Sequence, residues 1–172
     1  WAACSSPGAS DRVATLRTAV FEAVSALTTT GFSSTTYSGW PAAAILVLVI
    51  LMAIGGGTGS TAGGIKQHRV VVLAVALLAE LRRRRLPSGA VIVATVWSQG
   101  RPVRVDDAEV RSTAVFASLY VGVLVLGTLT LCVCGYPLQD SLFEFASALG
   151  TTGLSVGVTS VATPDLATIA MT

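Results

Sequence analysis

Long apolar runs, interrupted at a few glycine-rich or basic points, set the pattern of this chain. From Trp40 to Ile54 it reads WPAAAILVLVILMAI, about fourteen apolar residues behind a proline suited to the first helical position. At about 1.5 Å of rise per residue such a helix covers roughly 20 Å, short of the ~30 Å hydrocarbon core of a bilayer. The segment GGGTGSTAGG (Gly55 to Gly64) follows, then a second apolar helix from Ile65 to about Leu81, closed by Arg82, Arg83, Arg84 and Arg85. This pattern predicts one membrane helix broken in its middle. Lipid cannot satisfy free N–H and C=O groups, so irregular backbone at that depth must be buried in protein or face a water-filled cavity. The glycine break is therefore a candidate functional element.

Elsewhere, Trp1 to Ser10 is small and polar and reads as a loop, and Asp11 starts a helix that runs to about Leu27, with its acid favourable at the N-terminus. Val91 to Val96 and Arg101 to Val105 flank Ser98 to Gly100, a short polar hairpin outside the membrane. Ser112 to Cys134 supplies about 23 residues, enough for one complete span.

Composition strengthens the membrane reading. Of 172 residues, 52% are hydrophobic and 12% charged, and the mean hydropathy is +0.74, where a soluble domain carries roughly 25% charge. No charged residue or histidine occurs in 23–65, 112–139 or 145–164. Seven of the eleven Lys and Arg lie in 82–111, while the loops around Ser38 and Tyr136 carry none, which places 82–111 on the cytoplasmic side. A net charge of +2 without aromatic residues among the basic ones excludes a nucleic-acid partner. Cys4, Cys132 and Cys134 make neither a disulfide framework nor a metal site, so the latter two read as small packing residues. With Trp1 first and a fresh apolar segment at the end, the chain reads as an internal piece of a longer protein.

The chain also repeats itself. Phe21 to Ser33 (FEAVSALTTTGFS) and Phe143 to Ser155 (FEFASALGTTGLS), offset by 122 residues, share nine of thirteen positions, and in each copy a proline (Pro41, Pro164) opens the next apolar helix. Each unit is a short helix of about ten residues, a Thr-Thr-Gly turn, an uncharged loop and a second helix, with a full span ahead of the second copy. A half-helix entering from outside points its partially negative C-terminus into the membrane, which favours a cation there. The loop can then present successive carbonyls to a dehydrated ion, Gly31 or Gly153 permitting the backbone to aim them inward.

These residues resemble the Trk/Ktr/HKT superfamily of potassium transporters, whose fold is four linked repeats of the span, pore helix, span unit of potassium channels. Ser147 to Thr159 (SALGTTGLSVGVT) is close to the family's fourth filter segment, and Ile54 to Lys66 (IGGGTGSTAGGIK) to the intramembrane loop of its third repeat. The resemblance implies an all-α integral membrane protein, a Ktr/Trk-type subunit carrying the third and fourth of four repeats. Residues 1–86 would be repeat three without most of its first span, with pore helix 11–28, filter 29–33 and broken second span 40–86. Residues 87–111 would be a cytoplasmic hairpin, and 112–172 repeat four, cut in its second span. Carried over by position, Thr29, Thr30, Gly31 and Phe32 match one filter strand, and Thr151, Thr152, Gly153 and Leu154 another, with K+ held at backbone carbonyls. Gly55, Gly56, Gly57, Thr58, Gly59, Ser60, Thr61, Ala62, Gly63 and Gly64, with Lys66, match the family's gate. The family further implies a multi-pass protein of the cell membrane, a homodimer, and cytoplasmic nucleotide-binding regulatory subunits near 82–111.

Competing readings remain for several residues. Thr28 to Phe32 alone could be a helix end with a glycine cap. GTGSTA (Gly57 to Ala62), with Glu80 at ribose-binding distance, fits a dinucleotide-binding turn, although the preceding run is long for a strand. A phosphate-binding Walker loop fails, because Lys66 follows Ile65 and precedes Gln67. A secondary transporter with discontinuous helices would share the half-helix ends. Glu22 and Glu144 either bind cations at the mouth or, the favoured reading, hydrogen-bond neighbouring backbone and hold the half-helix. Lys66 either snorkels to the cytoplasm beside His68 and Arg69 or forms a charge barrier in the cavity. His68 has no partner at ligand spacing, so no enzymatic chemistry is expected.

Overall fold

A computed structural model describes residues 9–37, 39–85, 95–98 and 101–157. Within them lie helices α1 (Ala9–Leu27), α2 (Ala42–Ile54) and α3 (Gln67–Arg83), strands β1 (Thr95–Ser98) and β2 (Arg101–Arg104), and helices α4 (Asp107–Val133) and α5 (Leu138–Leu149). The helix expected after Pro164 and the tip of the hairpin fall outside the described residues.

Local chemistry accounts for most of these boundaries. Pro41 has φ −63° and ψ 143°, extended rather than helical, so it caps α2 instead of occupying its first turn. Gly55, at φ 71°, ends α2 while its N–H still reaches the Leu51 carbonyl. Helix α3 starts at Gln67 rather than the expected Ile65, because Lys66 adopts φ 79° and cannot be its first residue. Helix α4 begins at Asp107, ahead of the expected Ser112, since Asp107 and Glu109 in its first turn complement the helix dipole. It is the one helix among the described residues long and apolar enough to cross a membrane, and Leu119, Leu126 and Leu129 stand exposed on it.

The two repeat copies differ in helix length. Helix α5 has 12 residues, near the expected ten, but α1 has 19, and its start moves from the expected Asp11 to Ala9. Pro137 breaks the backbone ahead of α5, with φ −58° and ψ 144°. Thr15 occupies the equivalent position of the first copy; with no proline to stop it, the helix continues backward.

Ala26 of α1, Ile45, Leu48, Val49 and Met52 of α2, and Phe143 and Ala146 of α5 form the main core, so α2 lies between the two half-helices. Tyr37 joins this core, its ring 5.1 Å from that of Phe143, and ties the first copy's loop to the second copy's helix. The hairpin pairs Val96 with Val103 and rests on α3 through Val72, Val96 and Val105. Cys132 and Cys134 are free and half-buried, and Cys134 packs beside Leu131 and Phe145, as a small apolar residue should.

Helices α4 and α5 approach closely because Gly127 leaves room for the Phe145 ring. A Cβ at Gly127 would lie 1.9 Å from that ring. Gly127→Ala is therefore expected to cost about 1–3 kcal/mol by overpacking. Gly122 meets nothing within 4 Å, so Gly122→Ala should leave the protein unchanged. Thermal unfolding of the full-length protein in detergent checks the pair; equal midpoints would refute the close packing.

Candidate functional site

Both half-helices end the same way, down to individual hydrogen bonds. After α1, Thr29 N–H donates to Ala26 O (3.3 Å) and Thr30 N–H to Ser25 O (3.0 Å); after α5, Thr151 N–H donates to Ala148 O (3.0 Å) and Thr152 N–H to Ser147 O (2.9 Å). This is the paired bonding of a Schellman cap, which places one residue in the left-handed region. Glycine normally fills it, but here Thr29 and Thr151 do, at φ 52° and 53°. A β-branched residue there is strained, and both copies keep it. Gly31 and Gly153, at φ 78° and 87°, are a second left-handed residue in each copy. The glycine is thus not the helix cap that a single copy suggests; it turns the backbone again, beyond the cap.

A buried glutamate fixes each turn to its helix. Glu22, fully buried, accepts Ser34 N–H (2.7 Å) and Ser34 Oγ (2.9 Å) on one oxygen and the Tyr37 phenol (2.6 Å) on the other. Glu144 accepts Ser155 Oγ (2.5 Å) and Val156 N–H (3.0 Å). In the loop outside the helices, burial first and then Glu22 push the Tyr37 phenol above its ordinary pKa, so it remains a donor. The carboxylates hold the half-helices in place, the reading favoured from the sequence. Ser25 Oγ also donates to Phe32 O (2.6 Å), locking the first turn from within.

The two turns meet. A Cβ at Gly31 would lie 2.0 Å from the Thr152 carbonyl oxygen, backbone against backbone, whereas one at Gly153 would meet nothing within 4 Å. Leu154 is buried in the core, while Phe32 is exposed. Thr152 Oγ1 is buried without a hydrogen-bond partner.

The glycine-rich loop closes against the end of α5. A Cβ at Gly63 would lie 2.1 Å from Gly150 O and 2.8 Å from Thr151 Oγ1. The loop's two ends are pinned together by Ile65 N–H to Ala53 O (2.9 Å), Lys66 N–H to Ile54 O (2.9 Å) and Gln67 N–H to Gly56 O (3.2 Å), so α3 resumes where α2 stopped. Thr58, Gly59, Ser60 and Thr61 stand exposed at its tip. Lys66 does not snorkel: its ammonium donates to the Ser60 and Ala62 carbonyls and holds the loop in its fold. His68 Nε2 lies 4.0 Å from Glu109, linking α3 to α4. No cluster of metal-ligating side chains occurs among the described residues.

Sequence reasoning missed Tyr37 and Ser34, because they fall in a loop where the copies diverge. It also gave the shared serines, Ser25 and Ser147, no role, although their identity in both copies was a signal.

The fold is thus a mostly helical one in which α1 and α5 end in matching turns on either side of α2, beside one helix, α4, long and apolar enough to cross a membrane. The family model described as TrkH, a cation transport protein, matches residues 8–172, and the chain belongs to that family of transporters, which are not enzymes. Among solved structures it is similar to the potassium transporter TrkH from Vibrio parahaemolyticus, with a TM-score of 0.70 and 27% identity over 92% of this chain. The chain spans 34% of that protein's length. No curated protein matches it.

Proposed function

We propose that the Thr-Thr-Gly turns are two strands of a four-strand ion filter, and that the full-length protein takes up potassium, or a monovalent cation of that kind, across the cell membrane. The observation that carries this reading is the doubled turn: each copy spends strain on a left-handed threonine and then turns again at glycine. A helix end needs only one such residue. Backbone held in that way, at the partially negative end of a half-helix, suits a cation stripped of water.

In this reading residues 11–28 and α5 are pore helices, and 29–33 and 151–154 are filter strands. The stretch 40–86 is a second span broken at its gate. Gly55 to Gly64 blocks the path below the filter, held by Lys66, and the hairpin within 87–111 lies in the cytoplasm where regulatory nucleotide-binding subunits would dock on a homodimer. The contact of Gly63 with Gly150 supports the placement of the gate.

The test is rubidium uptake, with potassium and sodium as competitors, in potassium-uptake-deficient bacteria carrying the full-length gene or its Gly153→Ser variant. Potassium-competed uptake that loses selectivity in the variant is the expected result. No cation flux from a well-expressed wild type overturns the proposal, and uptake strictly dependent on a second ion turns it into a coupled transporter.

A further inference from the structure

Between Ser25 and Gly31 and between Ser147 and Gly153 the two copies differ at a single residue, Thr28 against Gly150. In the first copy Thr28 braces its own turn: its hydroxyl donates to Val24 O (2.7 Å) and is hydrogen-bonded to Thr30 Oγ1 (2.7 Å). In the second copy Gly150 offers no hydroxyl, and Thr152 Oγ1, the counterpart of Thr30 Oγ1, is buried without a partner. The backbone of Gly150 does not call for glycine, since its φ of −79° suits any residue. Space is what is short: a Cβ there would lie 3.0 Å from Ala146 O and 3.1 Å from Met52 O of α2. What the second turn has in place of a threonine is the glycine-rich loop, with Gly63 packed on Gly150 O and Thr151.

We propose that the loop is the brace of the second turn, so that a cation held at that turn and the loop in its seat stabilise each other. This inference rests on the reading of the turns as ion-filter strands and adds the regulation of that site. Thr151 sits at φ 53°, a strained conformation that its surroundings must hold. In the first copy the Thr28 and Thr30 hydroxyls and the Ser25 bond to Phe32 O hold the equivalent turn from within. In the second, a Cβ on Gly63 would come within 2.1 Å of Gly150 O and 2.8 Å of Thr151 Oγ1, so the loop's backbone lies directly against the residues that turn. A dehydrated cation needs carbonyls held in place, and the seated loop restrains Gly150 and Thr151. Ordering the turn for an ion and seating the loop constrain the same backbone, so whichever happens first lowers the cost of the other. Such coupling is reciprocal. Opening the gate therefore releases the second turn, and an ion held there opposes opening. The first turn carries its own brace and does not need the loop.

The test reads hydrogen exchange and ion binding rather than flux. The amides of Ile65, Lys66 and Gln67 are bonded to Ala53, Ile54 and Gly56 across the neck of the loop, so their exchange reports the loop leaving its seat. The full-length protein in detergent is followed by exchange mass spectrometry in potassium and in N-methylglucamine buffer, and its potassium affinity is taken from calorimetry. In wild type, potassium should slow exchange at 151–154 and, with it, at 65–67 by about tenfold, within the usual range for coupled sites. Gly63→Ala, whose Cβ has no room against Gly150 O, should exchange fast at 65–67 in either buffer and bind potassium about tenfold more weakly. Thr28→Val removes the brace of the first turn and should weaken binding while the response at 65–67 persists. Potassium that slows 151–154 without slowing 65–67 overturns the proposal and leaves the filter reading intact, as does wild-type potassium affinity in Gly63→Ala. Loss of the response at 65–67 in Thr28→Val also overturns it, since the coupling would then belong to both turns. Potassium that slows exchange at neither turn removes the filter reading itself, and this inference with it.

Discussion

Gly31→Val in the full-length protein is expected to reduce discrimination between potassium and sodium by about tenfold or more while the protein still reaches the membrane at normal abundance. Two costs coincide at this position. A β-branched residue in the left-handed region costs about 1–2 kcal/mol, and Gly31 sits at φ 78°. Its Cβ would also lie 2.0 Å from the Thr152 carbonyl oxygen. That neighbour is backbone, with no rotamer to escape into, so the second turn must move with the first. A difference of about 1.4 kcal/mol is a tenfold change in an equilibrium, and displacement of carbonyls alters the fit of the preferred ion more than that of its competitor. Gly153→Val carries only the conformational cost, because nothing lies within 4 Å of its added carbon. The first substitution should therefore do more harm than the second. Sodium competition of rubidium uptake measures the ratio, and an unchanged ratio in Gly31→Val would remove these turns from the ion path.

Deletion of Gly57 to Ala62 should raise cation flux severalfold and uncouple it from control. The loop's ends are already joined by the bonds from Ile65, Lys66 and Gln67 to Ala53, Ile54 and Gly56. A Cβ at Gly55 would lie 2.1 Å from Gly63 O, so the cut ends are neighbours and α2 and α3 can stay in line. What disappears is the exposed tip and the carbonyls that Lys66 holds. Flux measured in the same uptake assay, normalised to protein in the membrane, decides the matter. A fall would make the loop a support for α5, which it touches through Gly63 and Gly150.

Much of the architecture was legible because its causes are local. The length of α2 follows from its apolar run between Pro41 and Gly55. The repeat marks the equivalent turns, and the paired glutamates Glu22 and Glu144 predict the bracing role that their hydrogen bonds fill. The expected helix from Asp11 to about Leu27 is close to α1, and only the repeat's length of about ten residues fails there, because Thr15 stands where Pro137 precedes the other helix. Lys66 was misjudged because a lysine near a membrane edge usually reaches outward, and its real acceptors, Ser60 and Ala62, present themselves only once the loop has folded back.

By itself, then, the sequence determined the helices, their breaks, the membrane class and the two places where the backbone must turn left-handed, since these depend on proline, glycine, charge and apolar runs read within a few residues. The tertiary structure alone decided that Gly31 faces the Thr152 carbonyl and that Gly63 packs against Gly150. Those are contacts between backbones far apart in the chain. Glycine has no side chain with which to announce its neighbour, so the pairing emerges only when α2 packs between α1 and α5.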